Sequence, residues 1–302
     1  MYRFHIGEVE VTAIHELVLP AVDPHTFLVD LPLDAIDRHR EWLMPDFYDA
    51  DSRQLVFANR GWLLRTPRSN ILIEACNGND KERPTWPRGH HRDTPWLTRL
   101  QEAGCMPEDI DYVLCSHLHV DHVGWFTRLV DGRWTPTFPK ARYLIDRIEY
   151  SNWDPATRTL PPFGINENCF EDSVAPVMQA GQMTLIEAGL EVEEGITIVP
   201  ARGHTQGHVA IRVESRGQSG YFCGDAMHTP LQIVYPQCAT YACEDKAEAI
   251  ATHLALLHEC AEQRSYFVPT HFPGAHSAVC IHRKGERYIF SDLMGKVPNG
   301  LG

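Results

Sequence analysis

Polar and apolar residues alternate over positions 1–18, in Phe4-His5-Ile6 and again in Val9-Glu10-Val11-Thr12-Ala13, with Gly7 between the runs. Period-two alternation on both sides of a glycine predicts a β-hairpin. Positions 19–53 lose that alternation and collect Pro and Asp around Phe27-Leu28, Trp42-Leu43-Met44 and Phe47-Tyr48. The stretch is too long for a simple connection, so a partly helical excursion that covers something is expected. Two strands follow at 61–65 and 70–74, joined by a turn at Pro67-Arg68-Ser69.

Thr94 and Pro95 open a helix expected to end near Ala103, just before Gly104. Positions 111–115 read as a buried strand that stops at a histidine cluster. Beyond it, strands at 141–145, 195–200, 209–214 and 220–223 alternate with a helix over 170–179. The clearest helix covers 244–263, with Ala247, Ile250, Leu254 and Leu257 at helical spacing. A short strand at 266–268 and a strand pair at 278–282 and 288–290 complete the pattern. The chain shows no internal repeat, low-complexity segment or Gly/Ser-rich linker, so the expectation is mixed α/β in one domain over 1–302.

Composition narrows the class. Of 302 residues, 43% are hydrophobic and 22% charged, which excludes a disordered, collagen-like or coiled-coil chain. No apolar run approaches the roughly 20 residues a membrane-spanning helix needs. The first eight residues, Met1 to Glu8, lack a basic segment followed by an apolar one, so no secretory signal is expected. A formal net charge of −13 repels phosphate backbones and argues against a nucleic-acid partner. Nine scattered cysteines without a CxxC pair fit reduced thiols in a cytoplasmic protein.

The candidate chemistry lies among the 17 histidines. Ser116-His117-Leu118-His119-Val120-Asp121-His122 follows a strand directly. Three imidazoles and a carboxylate packed this closely would repel one another if protonated, and neutral imidazole and carboxylate are the usual ligands of zinc and its neighbours. In an extended chain His117 and His119 point the same way, leaving Asp121 and His122 to turn toward a second ion. Three more metal-competent residues follow short strands: His204 in Gly203-His204-Thr205-Gln206-Gly207-His208, Asp225 after Gly224, and His271 in Thr270-His271-Phe272-Pro273.

These motifs, HxHxDH at 117–122, GHTxGH at 203–208, GD at 224–225 and the late His271, resemble the metallo-β-lactamase superfamily in type and order. The resemblance implies a four-layer αβ/βα sandwich with metals at one edge. It implies His117, His119 and His204 on one ion, Asp121, His122 and His271 on the other, and Asp225 bridging both. Two divalent ions are the expected cofactor, zinc foremost, with manganese, iron or cobalt as alternatives. Ions about 3.5–4 Å apart can deprotonate a shared water and polarise the bond it attacks. His208 reads as structural rather than as a ligand. Glu74 lies where the family often has an Asp and would hydrogen-bond a ligand imidazole; the alternative is a solvated strand-end acid.

Within the superfamily, the His-Phe-Pro-Gly context of His271 and the run Gly224-Asp225-Ala226-Met227-His228 resemble the branch of acyl-homoserine lactonases, pyridoxolactonase and methyl-parathion-hydrolase-type enzymes. Many lactonases of that branch carry Tyr where this chain has His228, whereas the last group often has His. The implied function is a dinuclear metal hydrolase that opens a lactone or cleaves an ester of a neutral small molecule through a bridging hydroxide. An organophosphate or β-lactam hydrolase is the alternative, and a mononuclear-iron oxidoreductase a more distant one. Asp121 and His228 are the expected catalytic residues, with Trp125, Phe126 and His228 against the substrate. The expected partner is a small molecule, with no nucleic acid or membrane and with a homodimer left open.

Overall fold

The computed structural model describes residues 1–159 and 164–301. The amino-terminal strands are β1 (Arg3–Ile6), β2 (Val9–Val22), β3 (Tyr48–Asp49), β4 (Gln54–Arg65), β5 (Asn70–Ile73) and β6 (Tyr112–Leu114). The central ones are β7 (Thr127–Val130), β8 (Arg133–Pro136), β9 (Arg142–Asp146), β10 (Met183–Ile186), β11 (Glu191–Glu193) and β12 (Ile196–Pro200). The last are β13 (Val209–Ser215), β14 (Gln218–Gly224), β15 (Tyr266–Pro269), β16 (Val279–Lys284) and β17 (Arg287–Ser291). The helices begin with α1 (Pro24–Phe27), α2 (Ala35–Arg38), α3 (Arg40–Leu43), α4 (Trp96–Glu102) and α5 (Val120–Val123). They continue with α6 (Arg147–Trp153), α7 (Ala175–Gln179), α8 (Leu231–Val234) and α9 (Lys246–Gln263).

Among the described residues, one sheet runs β1-β2-β4-β5-β6-β9-β10 with β3 on β4, and another runs β11 through β17 in sequence order. The chain divides into two compact units, Met1–Glu16 with Asn59–Leu190, and Leu17–Ala58 with Glu191–Gly302.

In the first unit, β5, β6, β9 and β10 pair in parallel. Parallel neighbours need crossovers: α4 lies between β5 and β6, α5 with β7 and β8 between β6 and β9, and α6 with α7 between β9 and β10. The core gathers Leu63, Leu72, Trp96, Val113, Trp125, Phe126, Tyr143 and Ile145. The expected amino-terminal hairpin is present, with Gly7 at φ 57° in its turn.

In the second unit, β11 to β14 are antiparallel neighbours and β14 pairs β15 in parallel, with α8 and α9 as the crossover. The 19–53 excursion carries α1, α2, α3 and β3, and it delivers Phe27, Trp42, Leu43 and Phe47 to this unit's core. Helix α9 starts two residues later than expected, where the Asp245 side chain accepts Glu248 N–H at 3.0 Å. Its buried face is Ala249, His253, Leu256, Leu257 and Cys260, while Leu254 is 44% exposed. The helical period was legible, but its phase differs, because a histidine and a cysteine take inward positions.

Candidate metal centre

In the first unit, parallel β5 and β6 end at the same edge, so Glu74 and the 115–122 segment emerge side by side. Glu74 takes φ 64°, a left-handed conformation that is costly for a side chain with a Cβ and that marks a position held by its surroundings. Its buried carboxylate meets His122 Nδ1 at 3.0 Å and accepts Ser116 N–H at 3.2 Å. Ser116 Oγ meets His117 Nδ1 at 2.9 Å, and Asn59 Nδ2 donates to Asp121 Oδ2 at 3.0 Å. The His117 ring lies 4.4 Å from that of His119 and 4.1 Å from that of His122, centroid to centroid. The contact foreseen between Glu74 and an imidazole of the motif is thus made, to His122.

The backbone of this segment is held as tightly as its side chains. Leu118 N–H donates to Glu149 Oε1 at 2.9 Å, and Val120 N–H to Asn166 Oδ1 at 2.8 Å. Gly124, just past α5, has no room for a Cβ, which would fall 1.8 Å from Asn77 O. The buried Glu16 carboxylate collects Asn77 N–H, Gly78 N–H and the Trp125 indole N–H. Desolvation pushes Glu16 above the usual carboxylate range, against the pull of these donors.

In the second unit, β12 and β14 run in the same direction, each antiparallel to β13, and β15 is parallel to β14. Their carboxyl ends therefore deliver His204, Asp225 and His271 to one edge. Gly203 takes φ 116°, and a Cβ there would sit 2.1 Å from Ala249 N, so glycine lets this loop reach the first turns of α9. Asp225 is the focus: Oδ1 lies 3.0 Å from His271 Nε2, and Oδ2 lies 3.0 Å from His228 Nε2 and 3.5 Å from His204 Nε2. Asp225 N–H donates to His208 Nε2 at 3.1 Å, so His208 accepts from the backbone that carries the carboxylate.

Tautomers decide whether these donors suit a cation. His271 Nδ1 lies 2.9 Å from Ala58 O, an acceptor only, so Nδ1 carries the proton and Nε2 turns its lone pair toward Asp225. In the first unit His122 Nδ1 faces the Glu74 carboxylate in the same way, and its Nε2 lies 3.6 Å from Asp121 Oδ1. A lone pair directed at a carboxylate oxygen is repulsive unless a cation lies between. Both donor sets therefore fit divalent metal, and Asp225, His228 and His271 already place ligand atoms within 4.8 Å of one another.

Two residues expected against substrate are placed elsewhere. Trp125 stacks on Trp96 at 5.5 Å and spends its N–H on Glu16, and Phe126 packs edge-on to Tyr143 at 5.0 Å; both belong to the first unit's core. Their apolar bulk is used in packing, and proximity in sequence to His122 was a poor guide. His228 is buried, bracketed by Phe27 and Phe57 at ring distances of 5.1 and 6.0 Å, and its Nδ1 has no hydrogen-bond partner among the described residues. Glu149, Asn166, Asn59 and Glu16 went unforeseen, since each meets the site from a distant part of the chain and carries no local signature. All nine cysteines are free thiols, and Cys243 lies 3.7 Å from His204 Nδ1.

Residues 57–257 match the metallo-beta-lactamase superfamily, and the chain belongs to that family. Its fold is the one seen in a hydrolase, AbOPH, of the β-lactamase superfamily, with TM-score 0.79 at 23% identity over 97% of both chains. It is shared with AidC, described as a dizinc quorum-quenching lactonase, with TM-score 0.77 at 18% identity over 96% of both. An N-acyl homoserine lactonase, AttM, from Azorhizobium caulinodans is 33% identical over 101 residues, which is 30% of this chain and 34% of that protein. The chain thus matches about a third of the length of that curated relative. Among the described residues no helix is long and apolar enough to cross a membrane.

Proposed function

We propose that this protein is a metal-dependent hydrolase that opens a lactone or cleaves an ester of a neutral small molecule. The observation that carries the reading is the focus of His204, His228 and His271 on the Asp225 carboxylate, in a chain whose HxHxDH segment supplies a second donor set. His117, His119 and His204 would hold one divalent ion and Asp121, His122 and His271 another, with Asp225 serving both and zinc the foremost metal. Such a pair lowers the pKa of bound water and polarises a carbonyl. The lactonase names of the relative and of AidC support the choice of substrate class.

The protein's own groups do the rest. Glu74, Ser116 and the Ala58 carbonyl engage Nδ1 of His122, His117 and His271, which orients the rings. His208, through the Asp225 amide, aims the shared carboxylate. Asp121, held by Asn59, and His228 are the groups able to move a proton. His228 Nε2, 3.0 Å from Asp225 Oδ2, lies beside the shared carboxylate, and there the ring would hold a proton or return one to the leaving alkoxide. Phe27 and Phe57 keep water from that ring.

The test is turnover by zinc- or manganese-reconstituted protein of a panel of lactones, aryl esters, phosphotriesters and β-lactams. Lactone or ester hydrolysis supports the reading. Turnover confined to phosphotriesters or β-lactams replaces the substrate class, and no turnover across the panel overturns the hydrolase assignment.

A further inference from the structure

Alternate backbone amides of the 116–120 segment are each taken by a buried acceptor from a different element. Ser116 N–H goes to Glu74 at the end of β5, Leu118 N–H to Glu149 on α6, and Val120 N–H to Asn166. In extended chain, residues two apart share a side, so His117 and His119 alternate with the anchored positions; His119 itself is extended, at φ −68° and ψ 156°. The carbonyls of the segment are engaged too, since Cys115 Sγ donates to His117 O and Cys169 Sγ to Leu118 O.

Glu149 differs from the other two anchors. Its Oε1 accepts Leu118 N–H at 2.9 Å and also the Trp153 indole N–H at 2.8 Å. Trp153, one helical turn along α6, sets its ring edge-to-face against His119 at 5.5 Å and 79°. One buried carboxylate therefore grips the backbone just before His119 and also the indole that packs against its imidazole. Glu149 is 1% exposed and Trp153 5%, so neither bond competes with bulk water. A carboxylate buried this deeply is costly unless its charge is used, and two N–H donors on one oxygen use it.

We propose that Glu149 is a positioning residue for His119: through Leu118 N–H and Trp153 it sets how that imidazole is presented to metal. The inference rests on the metal-centre reading above. It goes beyond the metal-binding and proton-moving residues proposed above, because Glu149 acts here through the Leu118 amide and the Trp153 indole.

The experiment measures zinc affinity by chelator competition, and the visible absorption of the cobalt-substituted protein, for wild type, Glu149→Gln and Glu149→Leu. Gln keeps shape and acceptor but loses the charge, which roughly halves the strength of such bonds. Leu removes the acceptor. The expected order is wild type, then Gln, then Leu, with Leu about 10–100-fold weaker in metal affinity, as for other groups that orient ligands, and with a shifted cobalt spectrum. A purely structural glutamate would lower the melting temperature of metal-free protein while leaving affinity and spectrum at wild-type values, and that result overturns the proposal. If Glu149→Leu does not fold, wild-type affinity and spectrum in Glu149→Gln overturn it alone. Failure of wild type to bind zinc at all overturns the metal-centre reading instead.

Discussion

His228 lies three residues past Asp225, at the end of a strand whose partner delivers His271, and its ring stacks on that of His271 at 5.3 Å and 10°. Three readings meet at this ring: metal donor, proton carrier, and packing between Phe27 and Phe57. They separate by measurement. As a proton carrier, His228 should be replaceable by Ala with metal content unchanged and kcat reduced by roughly 10²-fold. Metal lost from His228→Ala would move it into the ligand set, and wild-type turnover with full metal would take it out of the chemistry. Asp225→Ala has a different signature. Three imidazole nitrogens face this one carboxylate, so its removal should abolish activity and lower occupancy of both ions, read by elemental analysis after gel filtration. Near-normal turnover of Asp225→Ala with both metals retained would refute the shared role.

Helix α9 shows what its buried histidine costs. His253 is 1% exposed, and its Nδ1 meets Pro236 O at 2.9 Å, so the ring donates there as the neutral tautomer. Desolvation by burial pulls its pKa from 6.5 down to about 4. Between those values the unfolded chain holds a proton that the folded one lacks. Stability therefore falls as pH drops from 6.5 through 4, by about 3 kcal/mol in full, at about 1.4 kcal/mol per pKa unit. Urea midpoints of metal-free protein at pH 7 and pH 4 should show a smaller acid loss in His253→Gln than in wild type; equal losses would contradict this. The same helix marks a limit of reading from sequence. Its period was visible, but which stripe faces inward was not, because pattern reading favours Leu254 over His253. Hairpin β7–β8 went unread although Asp131-Gly132 is a strong turn signal, with φ of 49° and 75° at the two positions. The candidate metal donors were legible because they are consecutive or follow short strands. Their supports were not: Glu149 and Asn166 reach Leu118 and Val120 across 31 and 46 residues, and nothing local in a sequence records such a contact.

At the scale of the whole molecule, metal and folding are expected to be linked. Each unit has its own apolar core, and each also carries imidazole and carboxylate donors that repel one another without a cation. Ligation needs deprotonated donors in fixed places, which the unfolded chain does not provide, so metal bound to the native state adds stability by mass action. An ion at a hundred times its dissociation constant contributes about 2.7 kcal/mol, and two independent ions contribute about twice that. Protein purified without chelator should approach two divalent ions per chain by elemental analysis. Stripping them should lower the melting temperature, and titrating zinc into stripped protein should raise it in a concentration-dependent way until two equivalents are bound. The effect should fade below about pH 6, where protons compete for the imidazoles. A single equivalent that added zinc or manganese cannot raise would sink the dinuclear assignment. A melting temperature indifferent to metal at neutral pH would separate the donor sets from folding altogether.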